Sequence, residues 1–208
     1  MKEQKDYIRD IAEMRSIMER SSKFLSLSGW AGIMAGIYAL CGAYIAHQTL
    51  DFRPGEQGYT TGNAAELPFS LQHLILLALA ILILALGTAI FLSGQKAVKR
   101  GEKLWNPVTP QLLFNLAVPL AAGGMLIIIL ISKGMIGFLA PLTLLFYGLA
   151  LYNAGKFTYE EVKSMGLIQI GLGLIGAYFV EYSLLCWALG FGVVHIIYGI
   201  YMHYRYER

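Results

Sequence analysis

LQHLILLALAILILALGTAIFLS, Leu71 to Ser93, runs for twenty-three residues without one Asp, Glu, Lys or Arg. As a helix rising ~1.5 Å per residue it exceeds the ~30 Å hydrocarbon core of a bilayer. That reading sets the frame for everything around it. The chain of 208 residues is 57% hydrophobic and 14% charged, against roughly half apolar and a quarter charged in a soluble domain. The apolar excess comes in blocks like this one, separated by short polar punctuation.

Working outward gives six blocks: Phe24 to His47, Leu71 to Ser93, Leu112 to Ser132, Met135 to Asn153, Met165 to Val180 and Leu184 to Tyr204. Gly and Pro occur inside several, which membrane helices tolerate better than soluble ones. The fifth is the shortest and the richest in glycine. The expected fold is an all-α membrane protein, a six-transmembrane-helix bundle preceded by an N-terminal cytoplasmic amphipathic helix. No segment outside the blocks is long enough to bury a core of its own, so 1–208 reads as one integral membrane domain.

The basic residues orient the chain. With the N-terminus inside, 14 of the 16 Lys and Arg fall on the cytoplasmic side, and only Arg53 and Lys133 fall outside. The positive-inside rule then puts both termini in the cytoplasm and requires an even number of spans. The first apolar run follows a charged stretch and is too long for the h-region of a cleavable signal peptide. A net charge of +3 gives no reason to expect nucleic acid as a partner.

In residues 1–22, Tyr7, Ile11, Met14 and Met18 recur at helical spacing, with Arg15–Glu19 and Glu19–Lys23 as i,i+4 pairs opposite. The segment reads as an amphipathic helix on the inner membrane surface, an anchor or a docking site for a protein partner. Ala31, Ala35, Ala39 and Ala43 repeat every fourth residue in the first span, and Gly32 and Gly36 form GxxxG. Small residues at this spacing let helix backbones approach closely. That face is expected to pack within the bundle or to form a homo-oligomer.

GIMAGIYALCGAY (Gly32 to Tyr44) and GLIQIGLGLIGAY (Gly166 to Tyr178) end alike, but they lie in the first and fifth spans. Inverted transporter repeats would relate spans one and four, so the echo reads as shared packing chemistry.

Motifs for chemistry are scarce. GLGLIG, Gly171 to Gly176, is a literal GxGxxG, but inside a membrane helix its N–H groups are already used and cannot meet a pyrophosphate. HExxH, CxxC, the P-loop and GxSxG are absent, and Asp6, Asp10 and Asp51 all lie outside the spans. No catalytic residue, metal site or cofactor is expected, and no enzyme. Cys41 and Cys186 read as packing thiols. His47, Asp51, Glu66, His73 and Glu181 gather near the outer face without a spacing that makes them a ligand set.

One intramembrane polar group stands out. His195 lies in GFGVVHIIYGIY, Gly190 to Tyr201, where an imidazole N–H must be satisfied away from water. If the fifth and sixth spans form a tight hairpin turning near Glu181–Ser183, Gly173 is level with Gly192 and Gly166 with Gly199. Those four glycines then form a seam of close approach, with Gln169 facing His195 upon it. The pair reads either as a neutral lock between two helices or as part of a cavity lined also by Asn115, Tyr147 and Tyr198. Pro119 and Pro141 would bend the third and fourth spans around such a cavity.

MERSSKFLSLSG (Met18 to Gly29) and WALGFGVVHIIYG (Trp187 to Gly199) resemble segments of uncharacterised bacterial inner-membrane proteins of about 200 residues, along the whole chain. The resemblance implies a multi-pass protein of the bacterial inner membrane and no particular activity. The six-span plan is also similar to small acetate and urea channels, but the Asn-Pro-Ala-Pro-Leu-Gly signature of the acetate permeases is missing. Two functions follow as expectations: a non-enzymatic scaffold or sensor, or an oligomeric channel or transporter for a small neutral or weakly acidic solute.

Overall fold

The fold is seen in a computed structural model that describes residues 27–55, 69–99, 101, 105 and 107–207, with backbone alone at 69 and 70. The amphipathic helix expected over residues 1–22 lies outside them. The regular structure of the described residues is all helical, with no strand. Five helices are long and apolar enough to cross a membrane: Gly29–Gln48, Leu71–Lys99, Thr109–Ser132, Ile136–Ala154 and Val180–Tyr206.

In chain order, α1 is Gly29–Gln48, α2 Phe69–Lys99 and α3 Thr109–Ser132. A 3-10 turn, Ile136–Phe138, leads into α4, Leu139–Ala154, and α5 is Glu160–Tyr178. A second 3-10 turn, Val180–Tyr182, opens the last rod. That rod is α6 (Ser183–Trp187), a π-helical stretch (Ala188–Val194) and α7 (His195–Tyr206). The fifth expected span is thus a helix, but it opens on Glu160, Glu161 and Lys163. Those charges leave too short an apolar run for α5 to join the five.

Helix packing follows glycine. On α4, Gly148 meets the Gly166 carbonyl and Ile170 of α5; on α5, Gly173 meets Pro141 and Leu145 of α4. A Cβ at Gly166 would lie 2.7 Å from the Gly148 oxygen and from the Tyr152 nitrogen. α1 runs along the last rod in the same manner. A Cβ at Gly32 would lie 3.2 Å from Gly199 Cα, and one at Gly36 would lie 2.6 Å from the Gly192 oxygen.

This corrects the expected glycine seam. Gly166 and Gly173 face α4, whereas Gly192 and Gly199 face α1. The four do not meet one another, because α5 and the last rod turn their glycines to different neighbours. It also places the small-residue face of the first span. Gly32 and Gly36 press on the last rod, and Ala31, Ala39 and Ala43 are buried, so the chain itself covers that face. The two echoing segments share this use of glycine.

Pro141 has no need to bend α4. It is buried in the first turn, where an N–H has no intrahelical acceptor to lose. Pro119 is inside α3.

α2 and α3 are peripheral. Of the apolar windows of α1, α4 and the last rod, 39%, 39% and 33% is buried, but only 0% of that of α2 and 6% of that of α3. α2 rests on α1 and α3 on α4. At one end, Ala46, Phe52, Leu71 and Ile136 form a cluster joined by Ile131 and Leu184. Phe52 enters it from the loop after α1, where Asp51 takes a left-handed φ of 45°.

Candidate functional site

The polar groups inside the bundle gather on the π-helical stretch. Gln169, on α5, is fully buried, and His195 is 7% exposed. The Gly190 carbonyl accepts from Gln169 Nε2–H at 2.8 Å and from His195 Nδ1–H at 3.0 Å. A carbonyl oxygen has two lone pairs and can satisfy both. With its proton on Nδ1, the ring has a lone pair on Nε2, and the Tyr147 hydroxyl donates to it at 3.0 Å. The neutral tautomer assigned from these partners satisfies both ring nitrogens.

Gln169 Nε2 and His195 Nδ1 are 3.5 Å apart, but both are donors aimed at one acceptor. The expected meeting of the two side chains takes place through the backbone of Gly190. Each helical Cα–Cβ bond leans toward the helix N-terminus, so His195 covers the turn that contains Gly190. The imidazole is also flanked by rings. Tyr147 and Phe191 lie 5.5 and 5.7 Å away between centroids, and Trp187 continues the stack onto Phe191 at 5.1 Å.

Gly190 is fixed by this arrangement. A Cβ there would run into Gln169 Oε1 and would lie 2.5 Å from Leu144 Cδ2. Gln169 Oε1 is the one fully buried side-chain polar atom among the described residues without a hydrogen-bond partner. It borders the space that a methyl at Gly190 would need. The Gln169 amide therefore lies along Gly190, with its donor on the carbonyl and its oxygen beside the position a Cβ would take. Sequence pattern gave no signal for this: it shows a glycine at 190 but no wide turn.

The other expected liners stand apart. Asn115 Nδ2 donates to the Gln111 carbonyl of its own helix at 2.8 Å. Tyr198 lies near Ser164 and Glu161 of α5. Of the five polar residues proposed, Gln169, Tyr147 and His195 come together.

Two apolar furrows lie along α2, one of them walled by α1, and neither touches His195. Among the described residues, no three of His, Cys, Asp and Glu gather as a metal site. Asp51 pairs with Arg53 at 2.9 Å, and Glu66 lies outside the described residues. Cys41 is exposed and Cys186 buried, both as free thiols. The GxGxxG glycines are inside α5: Gly171 has open space and Gly173 meets α4.

A second polar knot closes the basic end. Glu207 Oε1 accepts from the Gly29 N–H at 2.8 Å and pairs with Lys96 Nζ at 3.1 Å, while Oε2 pairs with His203 Nδ1 at 2.6 Å. Lys96 also donates to the Leu27 carbonyl. One carboxylate thus joins the start of α1, the end of α2 and the end of α7. It sits where the helix dipole of α1 favours negative charge. Burial alone pushes the Glu207 carboxyl up, but the hydrogen bonds from His203, the Gly29 amide and Lys96 outweigh it and hold the pKa below its ordinary value. Beside it, Glu161 accepts from the Tyr206 hydroxyl at 2.8 Å and pairs with Arg205 at 3.3 Å, which ties α5 to α7.

Comparison with protein-family models, curated protein sequences and solved structures finds no match for this chain.

Proposed function

We propose that this protein is a non-enzymatic scaffold or sensor of a bacterial inner membrane, crossing it six times with both termini in the cytoplasm. Support for a sixth crossing comes from α5 itself, which lies antiparallel along α4 from Gly166 opposite Gly148 to Gly173 opposite Pro141. A helix paired at this register shares the depth of its partner. Support for the orientation comes from the gathering of Lys96, Arg205 and the α7 terminus at one end, with Arg53 and Lys133 left on other segments.

The observation that carries the scaffold reading is the closure of the intramembrane polar group. Tyr147, His195 and the Gln169 amide N–H direct their hydrogen bonds to one another or to Gly190. A transport path needs polar groups that exchange partners with a solute, in a space that admits it. Here aromatic rings fill the space beside the imidazole. The second reading, an oligomeric channel or transporter for a small neutral or weakly acidic solute, draws on the unpartnered Gln169 Oε1. It draws also on the π turn, a feature frequent at functional sites.

Liposomes containing the purified protein separate the two. The scaffold reading expects no uptake above protein-free liposomes across a panel of small neutral solutes and weak acids. Solute flux that disappears in a folded His195→Leu variant would overturn it.

A further inference from the structure

The surface of α2 holds a second feature that the scaffold reading does not use. A furrow of about 520 Å³ runs between Trp30 and Met34 of α1 and Gly87, Thr88, Phe91 and Leu92 of α2. A second, of about 580 Å³, shares Phe91 and continues past Gly94 and Gln95 to Lys99. Gly87 and Gly94 are seven residues apart and fall on one side of the helix. At Gly87 a Cβ would meet nothing within 4 Å, so the furrow is open there. From Gly87 to Lys99 the helix rises ~18 Å. That is one leaflet of hydrocarbon, about 15 Å, and the start of the headgroup layer.

We propose that this furrow holds one acyl chain of an anionic phospholipid, with the lipid phosphate against the Lys99 ammonium. The two lysines of the last turns of α2 have separate tasks. Lys96 turns inward to Glu207 and the Leu27 carbonyl. Lys99 is exposed at the foot of the furrow, where a long aliphatic stem can follow the apolar wall and present its charge to a headgroup. Trp30, 51% exposed and held edge-on by His203 at 5.5 Å, forms the opposite wall, in the aromatic position common at membrane interfaces. The floor carries glycine at 87 and 94, a narrow track that suits one polymethylene chain better than a partner helix ~10 Å across.

Trp30 is the reporter. In a Trp105→Phe, Trp187→Phe background it is the sole indole, since the chain has three tryptophans. Its fluorescence is followed in vesicles whose phosphatidylglycerol or phosphatidylcholine is brominated near the middle of the acyl chain. The proposal expects about fivefold stronger quenching by the anionic lipid at low mole fraction, as for one lysine–headgroup attraction. Lys99→Gln should bring the two lipids level, and Gly87→Leu should reduce quenching by both. Equal quenching by the two lipids, or a preference that survives Lys99→Gln, overturns the proposal. If the tryptophan background does not fold, native mass spectrometry of the unaltered chain and of Lys99→Gln decides. One fewer retained phosphatidylglycerol in the variant is the expected result, and equal retention refutes it.

Discussion

Replacing Gly190 with alanine tests the intramembrane site most directly. The added methyl would enter Gln169 Oε1 and come within 2.5 Å of Leu144 Cδ2. Gln169 and Leu144 are both fully buried, so neither has free volume to move into. Overpacking of this kind costs about 1–3 kcal/mol. Displacing the Gln169 amide also weakens its bond to the Gly190 carbonyl, a membrane hydrogen bond of about 0.6 kcal/mol on average. The expected loss for Gly190→Ala is therefore about 2–3 kcal/mol. Gln169→Ala alone forfeits that bond and leaves a cavity, a loss of about 2 kcal/mol. In the double variant the new methyl occupies space that the glutamine has vacated. The two losses should fall short of their sum by at least ~1 kcal/mol, the signature of residues in contact. Unfolding in mixed micelles can be followed by maleimide labelling of the buried Cys186 thiol, with the exposed Cys41 changed to serine. Additive losses would refute the claim that Gln169 is what requires a glycine at position 190.

The relocated glycine seam makes a paired prediction: Gly166→Ala should destabilise by at least about 2 kcal/mol, because its Cβ meets backbone atoms 2.7 Å away on α4. Gly171→Ala, with open space around it, should be neutral or stabilising by up to about 1 kcal/mol, and the same thiol assay reads both. For the knot at the basic end, Glu207→Gln should cost about 2 kcal/mol at neutral pH. It removes the carboxylate partner of Lys96, whose side chain is only 10% exposed, though some water still reaches the pair. The folded-state pKa of Glu207 lies below its ordinary 4.5, so its contribution is complete above that value and is lost as pH falls through the folded pKa. The gap between the parent and Glu207→Gln, measured by the same unfolding curves, should close in acid.

Long apolar runs were readable because hydrocarbon imposes one demand at every position, and a run such as Leu71 to Ser93 meets it without reference to any other residue. The meeting of Gln169 with His195 was readable for a related reason: two polar side chains at similar depth have few other partners in a bilayer. The facing of the glycines was not. Gly166, Gly173, Gly192 and Gly199 keep a seven-residue spacing, which places each pair on one side of its own helix but does not say which neighbour that side touches. A bundle offers several neighbours at equal depth, and the choice depends on contacts among all of them. The π turn at Ala188–Val194 is invisible to periodicity for the same reason. It adds to the turn that carries Gly190, so counting from the hairpin brings the right side chains together but overlooks the carbonyl they share.

That carbonyl also explains why a polar group can persist in such a site. A histidine in an apolar bundle needs a donor and an acceptor for its two nitrogens, and a glutamine needs more than one partner. Another ionisable side chain would have brought the expense of a buried charge. The main chain carries its acceptors at no such penalty, and a glycine lets two side chains approach one of them. Tyr147 supplies the remaining donor from a third element, so α4, α5 and the last rod are joined through a single peptide oxygen and one imidazole. Because each of these bonds requires its partner helix in one register, a slip of α4 or α5 against the last rod breaks them together. The same logic operates at the basic end, where Glu207 joins the termini of three helices. Polar chemistry in this fold is placed where helices are held in register.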